Sequence, residues 1–198
     1  VVNQLSRGSK TKRDTITVAK ELLGKEFVHI LKGEPLISRI TETEAYLGEN
    51  DKASHTYGGL RTQRTETMYL PGGHLYVYLI YGIYSLVNVI TQDEENPTGV
   101  MIRSAEPVKG FDTMATLRFS KEYNQLTSFQ KKNLTNGPGK FSMAMGIDTS
   151  FDGKDLFQKD LYIQDTGFAV EKIGAGQRIN IDYAEEDALL PLRFFIEK

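Results

Sequence analysis

The spacing of apolar and polar positions changes period several times along the chain. Ile16, Ala19, Leu22 and Leu23 fall on one helical face, with Asp14 ahead of them as N-cap and Gly24 behind them, which predicts a helix over residues 14–23. Residues 26–31 and 36–46 are rich in strand formers and flank Lys32-Gly33-Glu34-Pro35, a turn sequence, so two antiparallel strands follow. Asn50 or Asp51 can cap a short helix ending near Gly58-Gly59, and residues 62–68 read as a second short helix before the Pro71-Gly72-Gly73 break. Residues 75–91 are the most strand-prone stretch, aromatic and branched apart from Gly82, and predict a hairpin with Tyr81-Gly82 at its tip. A strand at 100–104, a helix near 111–119 and a polar connection around 123–127 come next. Gly137-Pro138 opens a helix to about Met145, with Gly146 as its cap, and short strands are predicted at 161–164, 170–173 and 192–196. Without a repeat, a low-complexity tract or a linker, the pattern describes one α+β domain over residues 1–198 with a mostly antiparallel sheet.

Composition narrows the class. With 39% apolar and 25% charged residues in 198, the chain is that of a globular protein, and no apolar run reaches the roughly 18 to 20 residues of a membrane span. Residues 1–13 lack the apolar centre of a signal peptide, so an intracellular protein with no membrane partner is expected. The absence of cysteine excludes disulfides and any Cys-bearing zinc site. A net charge of −2 speaks against a nucleic-acid partner, since clustered cations supply most non-specific affinity for phosphates. Its distribution speaks the other way. Residues 99–141 carry seven basic groups against three acids, and residues 142–198 carry eleven acids against six bases, which permits a basic face and an acidic back.

Two groups of residues could carry chemistry. Glu42 and Glu44 lie two apart on a predicted strand and so point to one face. Such a pair is either a solvated or salt-bridged strand face, or holds one carboxylate beside Arg103, ionised and able to take a proton from water. Spacing alone leaves both open. Tyr46, Tyr57, Tyr69, Tyr76, Tyr78, Tyr81 and Tyr84 are interleaved with His55, His74, Arg61 and Arg64, a set suited to stacking on bases. A tyrosine at a hairpin tip gains little from burial but could wedge between base pairs. Gly174-Ala175-Gly176 is too short for a dinucleotide site, and Gly137-Pro138-Gly139-Lys140 lacks the rest of a nucleotide-phosphate loop, although Lys140 could contact a phosphate. Three scattered histidines, none in an HxH or HExxH pattern, give no metal site, and no cofactor is called for.

Glu42-Thr43-Glu44-Ala45-Tyr46-Leu47-Gly48, Ala53-Ser54-His55, Gly58-Gly59, the run from Leu75 to Gly82, Asn88-Val89, Ile102-Arg103-Ser104-Ala105-Glu106-Pro107 and Pro191-Leu192-Arg193-Phe194 together resemble the alkyladenine DNA glycosylase family, collinearly over nearly the whole chain. The resemblance implies a curved antiparallel sheet with flanking helices and a protruding hairpin that inserts into DNA. It also implies an enzyme that flips alkylated or deaminated purines (3-methyladenine, 7-methylguanine, hypoxanthine) out of damaged double-stranded DNA and hydrolyses their glycosidic bond. On it, Glu44 is the general base and Arg103 its partner, with the Ala175 carbonyl as a third ligand of the water and Glu42 structural. Tyr46, His55 and Tyr78 form the slot for the base, and Asn88 excludes the amino group of guanine. Tyr81 fills the gap in the duplex, Ile83 and Tyr84 lie in the minor groove, and Arg61, Arg64 and Lys140 contact the DNA. A monomer is implied. Thr65 departs from the asparagine common in the family, and Leu60-Arg61 interchanges a basic contact, departures that bear on phosphate contacts rather than on the chemistry. The alternatives are a non-catalytic damage-binding protein on this scaffold and a carbohydrate hydrolase using Glu42 and Glu44. Neighbouring carboxylates on one strand face poorly suit the second, which needs them on opposite sides of a bond.

Overall fold

A computed structural model describes residues 14–93 and 95–197. Residues 1–13, read above as lacking the apolar centre of a signal peptide, lie outside them. Helix α1 (Thr15–Glu21) begins where the Asp14 carboxylate accepts the Thr17 N–H at 3.0 Å. After Gly24, in a left-handed conformation at φ 80°, the chain enters β1 (Glu26–Leu31) and β2 (Glu34–Tyr46). The turn between them is tighter than predicted. Lys32 and Gly33 both take positive φ, which matches the twist of a two-residue hairpin, and Pro35 falls within the strand opposite Ile30.

Strands β3 (Leu75–Ile80) and β4 (Tyr84–Ile90) form the predicted hairpin, followed by β5 (Gly99–Lys109), α2 (Phe111–Phe119), α3 (Ser128–Lys132), α4 (Pro138–Ala144), β6 (Leu161–Gln164), β7 (Ile173–Gly176) and β8 (Arg193–Ile196). The antiparallel sheet runs β3-β4-β5-β2-β1-β6, and β8, with β7 beyond it, attaches to the far half of β2. Strand β2 therefore bends between two partners on one side, β1 early and β8 late, while β5 follows it on the other. The result is an α+β fold with a curled sheet.

Other expectations were displaced as well: in place of a helix from Asn50 or Asp51 to Gly58-Gly59 there are 3-10 turns at Gly48–Asn50 and Tyr57–Gly59. Strand β5 runs on past Ser104 because Pro107 sits at an irregularity in the β2 pairing, beyond the stretch where β4 pairs with β5, so its missing N–H costs no sheet hydrogen bond on that side. In place of a helix over 62–68, the Thr65 hydroxyl accepts the Thr62 N–H, closing a turn, and only Glu66–Tyr69 forms a 3-10 helix. Strand β7 lies at 173–176 rather than 170–173. Gly174 permits this, since a Cβ there would meet the Phe195 ring at 2.4 Å. Helix α3 was not predicted, although Thr127 and Gln130 make a capping box for it.

The helices cover one face of the sheet. Thr43 and Ala45 of β2, Val87 and Val89 of β4, and Val100 and Ile102 of β5 point into the core beneath α1, α2 and α4, and Phe27 meets Phe141 edge to face at 5.4 Å. Strand alternation sends Glu42, Glu44 and Tyr46 to the opposite face.

Candidate active site

Two compensating bulges shape that opposite face. Thr41 on β2 and Arg103 on β5 are each left without a partner, because the pairing passes from Ile40–Ala105 to Glu42–Ser104 to Thr43–Ile102. A bulge re-aims the side chain it carries. Here the Arg103 Nε comes to lie 3.1 Å from Glu42 Oε1 and 3.4 Å from Glu44 Oε1. The pairing registers also align Tyr76, Asn88, Met101, Glu44 and Arg193 in one row across β3, β4, β5, β2 and β8.

Glu44 is fully buried, and both of its oxygens are bonded. Oε1 accepts the Ile179 N–H at 2.9 Å and Oε2 accepts the Tyr46 hydroxyl at 2.9 Å. Burial pushes its carboxyl above the ordinary range, against the pull of Arg103 and of these two hydrogen bonds. Glu42 is less buried and ties the guanidinium of Arg103 to that of Arg193 at 3.0 Å. Of the two carboxylates, Glu44 is thus the one held in a low-dielectric setting.

Beside it is an open slot lined by Tyr46, His55, Tyr76, Tyr78, Asn88 and Tyr183, among others. His55 packs edge-on against Tyr78 with centroids 4.6 Å apart, and its Nδ1 shares a 2.8 Å hydrogen bond with the Tyr76 hydroxyl. Burial, with Arg64 nearby, lowers the His55 pKa to about 4, so the imidazole is neutral at neutral pH. Burial raises the Tyr76 phenol to about 12 and those of Tyr46 and Tyr78 as well, so all three stay protonated. Asn88 is buried and donates from Nδ2 to the Tyr76 carbonyl at 3.1 Å, which fixes its orientation.

A buried carboxylate held by arginine thus lies next to a slot walled by aromatic rings, which suits a flat ligand. The family model described as Methylpurine-DNA glycosylase (MPG) matches residues 9–198. The chain belongs to that family. A relative from Clostridium perfringens (strain SM101 / Type A) is 47% identical over 188 residues, covering 93% of this chain and 92% of its own. Relatives from Desulfitobacterium hafniense (strain Y51) and Bacillus mycoides (strain KBAB4) are 48% and 49% identical, each over 93% of this chain and over 91% and 92% of their own. All three carry 3-methyladenine DNA glycosylase as a provisional name. The chain is accordingly a DNA glycosylase, a hydrolase, which sets aside the non-catalytic and carbohydrate-cleaving alternatives.

The glycosylase brings Glu44, Arg103, Tyr46, His55, Tyr78 and Asn88 together as the sequence suggested. Ala175 sits in β7 opposite Phe194, and the backbone group that reaches the Glu44 carboxylate is the N–H of Ile179, four residues on. Tyr81 and Ile83 are 79% and 66% exposed at the hairpin tip, with Tyr84 partly exposed at its base. Arg64 lies over the Tyr78 ring at 5.4 Å, Arg61 lies over Tyr69 and pairs with Glu66, and Lys140 donates to Asn133. Gly139 is needed there because a Cβ would meet the Tyr84 side chain at 2.8 Å, and Gly137 because it takes φ 134°.

Tyr76 was named only as one of the clustered tyrosines, and Tyr183, Arg193 and the buried pair of Asp51 with Arg178 were given no site role from sequence. Tyr76 was legible in principle, being two residues from Tyr78 on one strand face. Asp51, expected to cap a helix, instead binds a residue 127 positions away, for which no local pattern exists. Among the described residues no group of three or more metal-ligating side chains occurs, and no helix is long and apolar enough to cross a membrane.

Proposed function

We propose that this glycosylase acts on damaged double-stranded DNA as a monomer inside the cell, in base excision repair. It turns an alkylated or deaminated purine (3-methyladenine, 7-methylguanine or hypoxanthine) out of the duplex and into the slot. Glu44 takes a proton from water as the water oxygen bonds to the sugar C1′. The C1′–N bond breaks, and its electron pair leaves with the base. Arg103 keeps the carboxylate ionised and holds the water beside it. The observation that carries the reading is the Glu44 carboxylate, buried and raised in pKa yet paired with Arg103, at the Tyr46 end of the slot. A base whose affinity for protons lies nearer neutrality is a better proton acceptor at the operating pH than an exposed carboxylate.

The remaining roles follow from position. Tyr46 on one side and His55 with Tyr78 on the other stack on the base, and a cationic methylated purine gains cation-π attraction as well. Asn88, oriented by its bond to the Tyr76 carbonyl, meets the exocyclic amino group of guanine. Tyr81 fills the gap in the stack, Ile83 and Tyr84 contact the minor groove, and Arg61, Arg64 and Lys140 meet phosphates. The Ala175 carbonyl is the third ligand of the attacking water, accepting a hydrogen bond from it, a task separate from the Ile179 N–H, which donates to the Glu44 carboxylate.

The test is release of free base from duplexes that carry hypoxanthine, 3-methyladenine or no lesion. The reading expects release from both damaged duplexes and an abasic site left behind. Release from neither, or equal release from undamaged DNA, would contradict it.

A further inference from the structure

The wall of the slot formed by Tyr46 has a charged backing that the mechanism above does not use. Behind the ring lies Arg178, its guanidinium carbon 4.9 Å from the Tyr46 centroid, and this side chain is not among those lining the slot. Arg178 is fully buried. It forms a two-pronged pair with Asp51, Nη1 to Oδ2 at 2.5 Å and Nη2 to Oδ1 at 2.8 Å, and Nη1 also donates to the Ala45 carbonyl at 3.0 Å. Asp51 is as buried as its partner and accepts the N–H groups of Leu47 and Ala53 at 2.9 and 3.0 Å.

A cation against one face of an aromatic ring draws on the same electron density that a cation on the other face would use. An unbalanced Arg178 would therefore repel a positively charged base stacked on the slot side of Tyr46, through a low-dielectric layer that screens little. Asp51 removes that penalty by making the backing neutral as a pair. The arginine still ties β2, at Ala45, to the chain that carries Ile179 to the Glu44 carboxylate.

We propose that Asp51 and Arg178 set the charge preference of the slot: Asp51 neutralises the cation behind Tyr46, so that positively charged methylated purines are accepted alongside neutral deaminated ones. This inference rests on the stacking role given to Tyr46 above. Charge distinguishes it from a purely structural part for the pair. Loss of structure lowers excision of cationic and neutral lesions together, whereas a change of net charge behind the ring moves their ratio, and in a direction set by which partner is removed.

Single-turnover excision of 3-methyladenine, a cation as the nucleoside, and of neutral hypoxanthine is measured for the native protein, Asp51→Asn, Arg178→Gln and the double variant, with each fold checked by circular dichroism. Asp51→Asn, leaving a bare cation, should lower the 3-methyladenine to hypoxanthine ratio about 10-fold relative to native. Arg178→Gln, leaving a bare anion, should raise it. The double variant should return to within about threefold of the native ratio although both rates fall. The two single variants err in opposite directions, so either one that folds suffices. A native ratio in every folded variant, or a shift of the same sign in both singles, overturns the proposal. A native protein that excises neither lesion overturns the glycosylase reading and this inference with it, whereas native excision of both with unmoved ratios fails only the inference.

Discussion

In the slot, Tyr46, Tyr76 and Tyr78 are packed against one another or against His55, Arg178 and Arg64, and the hydroxyls of the first two have partners. At the tip of the hairpin that carries two of those rings, Tyr81 and Ile83 stand in solvent, and a Cβ added to Gly82 between them would meet nothing within 4 Å. Tyr81 also adopts φ 52°, a left-handed conformation that costs a residue other than glycine on the order of 1 kcal/mol. Burial and hydrogen bonding account for the slot as a folded object, and its pKa shifts follow from the same burial. The hairpin turn closed by the Ile83 N–H on the Ile80 carbonyl accounts for that backbone conformation, but not for an exposed aromatic at a position where glycine, asparagine or aspartate is usual. The two regions thus separate what the fold requires from what it does not: under the proposed function, chemistry resides in the enclosed region and engagement of DNA in the exposed one.

Breaking the enclosed region should have the larger effects. Arg103 is the chief influence opposing the burial of Glu44, so Arg103→Ala should drive the Glu44 pKa further up and leave less of the carboxyl ionised. Single-turnover excision of hypoxanthine at pH 7 should fall about 10- to 100-fold and recover in part as pH rises; a folded variant that cuts at the native rate would show that the arginine has no such task. Next in size, Asn88→Ser should raise excision of guanine-type bases relative to hypoxanthine by about 10-fold, because one clash and one unsatisfied polar contact disappear. A ratio that does not move would make Asn88 structural. The exposed region gives the smallest effect. Tyr81→Ser should weaken binding to a duplex with an abasic-site analogue by about 1 to 3 kcal/mol while unfolding free energy stays within about 0.5 kcal/mol of native. If stability drops instead and affinity holds, the contrast between the two regions collapses.

Much of this was legible in the chain because it is local. The alternation that puts Glu42, Glu44 and Tyr46 on one face, the Asp14 cap, and the hairpin centred on Tyr81-Gly82 depend on neighbours a few residues apart. Contacts that join distant segments were not legible. The bulge at Arg103 arises from how β2 and β5 fit together, and nothing near Asp51 points to Arg178. Gly174 and Gly139 resembled parts of nucleotide-binding loops, whereas their reason is the close approach of Phe195 and Tyr84. A glycine reports that a side chain is excluded, but not by what.

The central claim is that the buried Glu44 carboxylate accepts the proton of the attacking water, and the pH dependence of hypoxanthine excision tests it most directly. Excision requires the ionised carboxylate, and burial places its pKa above the ordinary 4.5, so the native single-turnover rate should fall as pH drops through that raised value. Glu44→Gln keeps the shape but accepts no proton; it should bind the duplex as well as the native protein, cut about 10² to 10⁴-fold more slowly at neutral pH, and lose that acid limb. A Glu44→Gln protein that cuts near the native rate, or one that retains the same acid limb, would contradict the account.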